Sequence, residues 1–132
     1  MTSEFMLDTD TVSWALRGQG AVSAHLLEYR PSQLCISSIT LAELRYGADA
    51  KRSRKLHRLI ATFIESVKVL PFDQAAADQF GPVASALAKR GEPIGTFDTL
   101  IAAHALSCRL TLVTNNTKHF HRVAGLKLAN WA

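Results

Sequence analysis

Apolar runs of three or four residues recur along the chain, each separated from the next by a longer segment of helical periodicity, and no two are joined by a hairpin turn. The runs are Phe5-Met6-Leu7, Leu34-Cys35-Ile36, Lys68-Val69-Leu70, Leu110-Thr111-Leu112-Val113 and Leu126-Lys127-Leu128. Helical patterns fall over 11–16, 21–29, 38–46, 53–67, 74–89 and 98–107. Strands reached only through helices pair in parallel and are covered on both faces. The expected fold is therefore α/β: three layers, with a central, mostly parallel sheet of four or five strands. No repeat, linker or low-complexity tract divides residues 1–132, so one domain is expected.

Local signals refine that outline. Leu56, Leu59, Ile60, Phe63 and Ile64 repeat at helical spacing and give one buried face. Asp73 is placed to cap the long helix after the third run, and Gly47 to end the 38–46 helix as a left-handed cap. No apolar run approaches the roughly 20 residues that span a bilayer. Met1-Thr2-Ser3-Glu4 has neither a basic nor an apolar leader region, so the expected location is cytoplasmic. Cys35 and Cys108 lie in apolar settings without a CxxC pair and read as buried thiols. The 132 residues carry 15 Lys and Arg against 11 Asp and Glu, a net charge of +4 that suits an anionic partner without requiring one.

In an open parallel sheet, reactive groups collect beyond the carboxyl ends of the strands. Asp8 directly follows the first run, Glu43 lies in the helix after the second, Asp98 opens the helix feeding the fourth, and Asn116 follows the fourth. Carboxylates gathered in a low dielectric repel, and a divalent cation relieves them. An oxygen-only set selects magnesium or manganese over zinc. Each residue also has a purely structural reading as a helix cap: Asp8 or Asp10 before Thr11, Glu43 in a capping box with Thr40, and Asp98 ahead of Thr99. If all were caps, the chain would be a non-catalytic binding module. A third reading takes Asp8-Thr9-Asp10-Thr11-Val12 as the D-x-D-x-[TV] nucleophile motif of haloacid-dehalogenase-like phosphatases, with Asp8 as nucleophile. That fold needs late acidic residues, and no Asp or Glu follows Asp98.

Several segments taken together are more specific. Phe5-Met6-Leu7-Asp8-Thr9-Asp10, Ile36-Ser37-Ser38-Ile39-Thr40-Leu41-Ala42-Glu43-Leu44-Arg45-Tyr46-Gly47, Ile94-Gly95-Thr96-Phe97-Asp98-Thr99-Leu100-Ile101-Ala102-Ala103-His104-Ala105 and Leu110-Thr111-Leu112-Val113-Thr114-Asn115-Asn116 resemble PIN-domain ribonucleases. Phe120-His121-Arg122-Val123 and 125–131 extend the match. Within that superfamily the chain resembles the VapC toxins of bacterial toxin–antitoxin pairs. The resemblance covers the whole chain in order.

The resemblance implies a Mg2+- or Mn2+-dependent endoribonuclease acting on tRNA or rRNA and leaving 5′-phosphate and 3′-hydroxyl ends. Asp8, Glu43 and Asp98 match the acidic metal positions, Thr114 the hydroxyl beside them, and Asn116 a fourth catalytic position. Position 119, often acidic in relatives, is His119, and Asp10 stands where asparagine is common. Three carboxylates offset one divalent ion, so one resident ion is expected, with a second recruited by the substrate phosphate. The resemblance also implies a VapB-type antitoxin that inserts an arginine among the carboxylates, and a homodimer.

Outside the acidic set, Lys51, Arg52, Lys55 and Arg58 form the densest basic patch, with His57 among them. Lys51, Lys55 and Arg58 are expected on one helical face, either solvated or touching RNA. His119-x-His121 is too sparse for a metal pair of its own. His104 reads as a packed, hydrogen-bonded ring, and Trp14, Phe97 and Trp131 as core or interface groups. Phe97, preceding Asp98, also has the position to stack on a base.

Overall fold

The computed structural model describes residues 3–132; Met1 and Thr2, on which part of the reading of the N-terminus rests, lie outside the described residues. Five strands form one sheet: β1 (Phe5–Leu7), β2 (Leu34–Ser37), β3 (Lys68–Leu70), β4 (Thr111–Val113) and β5 (Leu128–Ala129). Their order is β3-β2-β1-β4-β5, and every pairing is parallel. Phe5 sits opposite Leu34 on one side and Thr111 on the other.

Alternation along these short strands divides the core between the two faces. Met6, Cys35 and Leu112 pack with Val83, Leu87, Ile101, Ala105 and Phe120 on one face. Leu7, Ile36 and Val113 pack with Val12, Leu44, Ile60 and Trp131 on the other. The helices α1 (Thr9–Arg17), α2 (Val22–Leu26), α3 (Ser38–Ala50), α4 (Arg54–Ser66), α5 (Gln74–Lys89), α6 (Thr96–Cys108) and α7 (Thr117–Phe120) supply the outer layers. Burying each large aliphatic side chain contributes about 1.5–3 kcal/mol. Among the described residues no helix is long and apolar enough to cross a membrane.

Three local expectations are corrected. Gly47 does not end α3; it stays helical, and the helix runs on to Ala50, anchored by fully buried Ala48. The left-handed residue comes later, at Arg52 with φ 51°. The 21–29 helix contracts to α2, which ends at Leu26 and starts after Ala21 without a side-chain cap. Cys35 is buried, its thiol pushed up to about 12 mainly by desolvation, but Cys108, the last residue of α6, is exposed.

Candidate active site

The sheet order reverses beside β1, where β2 and β3 lie to one side and β4 and β5 to the other. The crevice beyond β1 and β4 is the switch point at which open α/β sheets hold ligands. Asp8 leaves β1 into this crevice and is only 3% exposed. Its backbone N–H donates to Val113 O at 3.0 Å, which ties the end of β1 to β4. One carboxylate oxygen, Oδ1, accepts from Thr11 N at 2.8 Å, so Asp8 does cap α1. Burial raises the Asp8 carboxyl above its ordinary range, opposed by hydrogen bonds from Thr114 and Thr11 and reinforced by the charge of Asp10. Thr114 itself is fully buried at the end of β4, and its Oγ1 accepts from Asn116 N at 3.0 Å.

Glu43 and Asp98 are not caps. α3 is capped by Ser37, whose Oγ accepts from Ile39 N at 3.0 Å, so Thr40 stands inside the helix and cannot form the capping box expected with Glu43. Glu43 instead accepts a hydrogen bond from Thr9 Oγ1 at 2.6 Å, with Thr40 Oγ1 3.3 Å from the same hydroxyl. α6 begins after Gly95, which adopts φ 94° and ψ 155°, a conformation open essentially to glycine alone. Asp98 is thereby in the first helical turn rather than at the cap. Its carboxyl, about one-third exposed, is pushed up to about 6, first by desolvation and then by the charges of Asp8, Glu43 and Asp10. The three acidic residues thus gather at one end of the sheet and sense one another.

Charge in this crevice is not balanced by the protein. Among the described residues no lysine or arginine forms an ion pair with Asp8, Glu43 or Asp98. The donor set is carboxylate and hydroxyl oxygen, which fits a hard divalent cation. With Glu43 held by Thr9, no three His, Cys, Asp or Glu side chains among the described residues close on a single point. Asp8 and Asp98 fit direct ligation, and Glu43 is the outlying carboxylate.

Asn116 is exposed; its backbone N–H reaches Thr114, and among the described residues its side chain meets the cluster through His119, Nδ2 donating to His119 Nδ1 at 2.8 Å. His119 Nδ1 lies 3.5 Å from Asp98 Oδ2. The sequence offers His119 as a partner for His121 and, through the resemblance, as the residue at a position often acidic in relatives; His121 is exposed at the end of α7. On so short a helix, residues two apart diverge, and His119 turns inward alone.

The basic patch divides. Lys51 and Lys55 line a groove of about 660 Å³ together with Arg17, above a floor of Leu16, Leu44, Leu56 and Leu59, and the groove reaches the cluster at Thr9 and Glu43. Lys51 lies at the end of α3, not on the α4 face expected to carry it with Lys55 and Arg58. Arg52 and Arg58 are exposed outside the groove lining. His57 is engaged structurally, joining Arg45 Nη1 at 2.9 Å to Asp49 Oδ1 at 2.8 Å and so tying α3 to α4. Arg17 was missed because it is 34 residues from Lys51 in the chain and only the fold brings them together. His104 is packed as expected, bonded to Ser37 Oγ at 2.8 Å. Trp131 is buried and stacks on Tyr29, and Trp14 is half-buried. Phe97 is 54% exposed, which removes it from the core.

Comparisons with known proteins agree with this architecture. Residues 5–126 match the PIN domain family. The tRNA(fMet)-specific endonuclease VapC of Shigella flexneri is 38% identical over 130 residues, covering 98% of both chains. The solved structure of DNA-bound VapBC from Salmonella typhimurium superimposes with a TM-score of 0.88 and 37% identity, covering 99% of this chain and 100% of that one. VapBC2 from Rickettsia felis, bound to a DNA fragment from its promoter, gives a TM-score of 0.86 and 33% identity over 97% of this chain and 98% of that one. The chain therefore belongs to the PIN-domain family and, within it, to the VapC-type ribonucleases.

Proposed function

We propose that residues 1–132 form one nuclease domain, the toxin of a type II toxin–antitoxin pair, which hydrolyses phosphodiester bonds in tRNA or rRNA with Mg2+ or Mn2+. The observation that carries this reading is the set of mutually repelling carboxylates at the sheet's switch point, unpaired by any lysine or arginine among the described residues. Asp8 and Asp98 would hold the cation, with Glu43 the outlying carboxylate. When bound, the ion supplies the positive charge that orients the scissile phosphate and acidifies the attacking water. Thr114 steadies Asp8 in its charged form. Thr9 fixes the Glu43 carboxylate, which takes the proton of the attacking water. In-line attack by water leaves a 5′-phosphate and a 3′-hydroxyl and uses no 2′-hydroxyl, so preference for RNA comes from shape and strand contacts. Lys51 and Lys55, joined by Arg17 on the groove, are suited to the phosphates of the flanking strand, with Arg52 and Arg58 outside it.

A VapB-type antitoxin is the proposed protein partner. The unpaired carboxylates attract an arginine side chain, and the leucine floor beside them suits an apolar segment of the same partner. The purely structural reading of the acidic positions as caps holds for Asp8 and for neither Glu43 nor Asp98.

The test is to map cleavage ends in total cellular RNA treated with the protein, with and without chelator, beside Asp98→Asn. Discrete new 5′-phosphate ends that vanish with chelator and with Asp98→Asn support the reading. Ends unaffected by both would overturn it.

A further inference from the structure

We propose that Phe97 is a stacking platform for an unpaired base beside the scissile phosphate, which confines cleavage to single-stranded stretches of RNA. This deepens the RNA-cleaving reading above and rests on it. Phe97 is the second residue of α6, directly before Asp98, and it is 54% exposed. It belongs to neither core cluster and, among the described residues, lies against no other ring. The buried face of α6 is carried by Thr99, Ile101, Ala102 and Ala105, so the helix packs without it. Helix formation gives no reason for an apolar ring in a first turn, where acidic side chains are favoured.

Position supplies the reason. Consecutive Cα atoms are about 3.8 Å apart, so the ring is within one nucleotide's reach of a phosphate held at Asp98. The basic groove meets the cluster at Thr9 and Glu43, and its lining includes neither Asp98 nor Phe97. A strand whose phosphates are held by Lys51, Lys55 and Arg17 therefore meets Phe97 as it passes Asp98. A phenyl ring has no donor or acceptor with which to read a base edge, but every base has a face that stacks on it. In a paired helix those faces are covered by neighbouring bases, whereas loops, bulges and ends can splay them out. Phe97 thus selects pairing state rather than sequence.

The experiment uses the full chain and two probes, a fluorescein-labelled single-stranded oligoadenylate of about 12 nucleotides and the same strand paired with oligouridylate. Binding is read by anisotropy in chelator, so it does not depend on the metal, and the ends produced in total cellular RNA with Mn2+ are mapped alongside. Phe97→Leu, which keeps apolar bulk and removes the ring, should weaken single-strand binding about tenfold and leave duplex binding within about twofold. Phe97→Trp should bind the single strand at least as tightly as wild type, and Leu27→Ala, at another exposed apolar position, should change neither probe. The mapped ends should fall at unpaired linkages. No single-strand binding by wild type, unchanged binding by Phe97→Leu, or equal losses on both probes overturns the inference and leaves the nuclease reading to the mapped ends. Intact RNA binding with a lower sedimentation mass in Phe97→Leu would put a second copy of the chain on the ring and overturn it as well. Binding through Phe97 without any metal-dependent ends would overturn the nuclease reading and, with it, the placing of the base beside a scissile phosphate. Should Phe97→Leu fail to fold by circular dichroism, the wild-type ends still decide, since cleavage within paired stretches contradicts the proposal.

Discussion

Thr9 Oγ1 donates to Glu43 Oε1 at 2.6 Å, joining the first turn of α1 to the middle of α3 across 34 residues of sequence. Glu43 has no other protein hydrogen bond among the described residues, so this hydroxyl sets where its carboxylate points. Thr9→Val keeps the β-branched shape and removes the donor. Single-turnover RNA cleavage should slow about tenfold, the scale of losing orientation at a reacting group, while metal affinity held by Asp8 and Asp98 stays within twofold. Unchanged cleavage would show that Glu43's position does not matter to the reaction.

The Asp98 carboxylate should be better removed than kept in metal-free protein. Asp98→Asn takes away a charge that sits against Asp8, Glu43 and Asp10 and breaks no cap. Thermal melting without metal at pH 8 should therefore rise by a few degrees, while cleavage is abolished. Asp8→Asn keeps the cap, since asparagine caps about as well as aspartate, and removes a carboxylate that burial also raises, so its melting at pH 8 should not fall below that of wild type. A large fall in melting for Asp98→Asn would mean that its role is structural.

The pH dependence of that difference has a definite sign. Asp98 titrates near 6 in the folded chain against an ordinary value of 3.8. A carboxyl whose folded value is raised contributes stability fully present below its unfolded value and lost as pH rises through the folded value. Asp8 is shifted the same way. Metal-free wild type should thus close the melting gap to Asp98→Asn as pH falls from 8 to below 4. Metal binding should weaken below about pH 6, because the ion must displace a proton. A gap independent of pH would contradict the raised value.

Gly95 aims Asp98. Its φ of 94° and ψ of 155° place it where side chains are rarely tolerated, although nothing lies within 4 Å of an added Cβ. Gly95→Ala should therefore cost about 1–3 kcal/mol from backbone strain alone, measured by denaturant unfolding, and should reduce cleavage beyond its effect on stability. A neutral substitution would show that the start of α6 can re-form around alanine.

Much of this architecture was legible because it depends on pattern. Apolar triplets such as Phe5-Met6-Leu7, with no hairpin turns between them, are enough to imply a parallel sheet, and Asp73 caps α5 as its position requires. Helix ends were less legible where tertiary contacts decide them. Gly47 looks like a terminator, but buried Ala48 and the Arg45–His57–Asp49 link extend α3 past it. The cap readings of Glu43 and Asp98 failed because both lie inside helices already under way: α3 starts at Ser38, where the pattern placed it and ahead of Thr40, and α6 starts at Thr96, two residues earlier than expected. Arg17 was illegible for a different reason, since it acquires its neighbours only when distant segments meet, and His119 was legible only through the resemblance, which marks its position as often acidic. No local spacing records that Arg17 and Lys51 line one groove, or that His119 lies beside Asp98.

The account stands most directly on calorimetric titration of Mn2+ into metal-free wild type, Asp8→Asn and Asp98→Asn, each first verified as folded. It predicts one binding site in the wild type and at least a hundredfold weaker binding in both variants. Equal heats and affinities in all three proteins would place the ion elsewhere and contradict it.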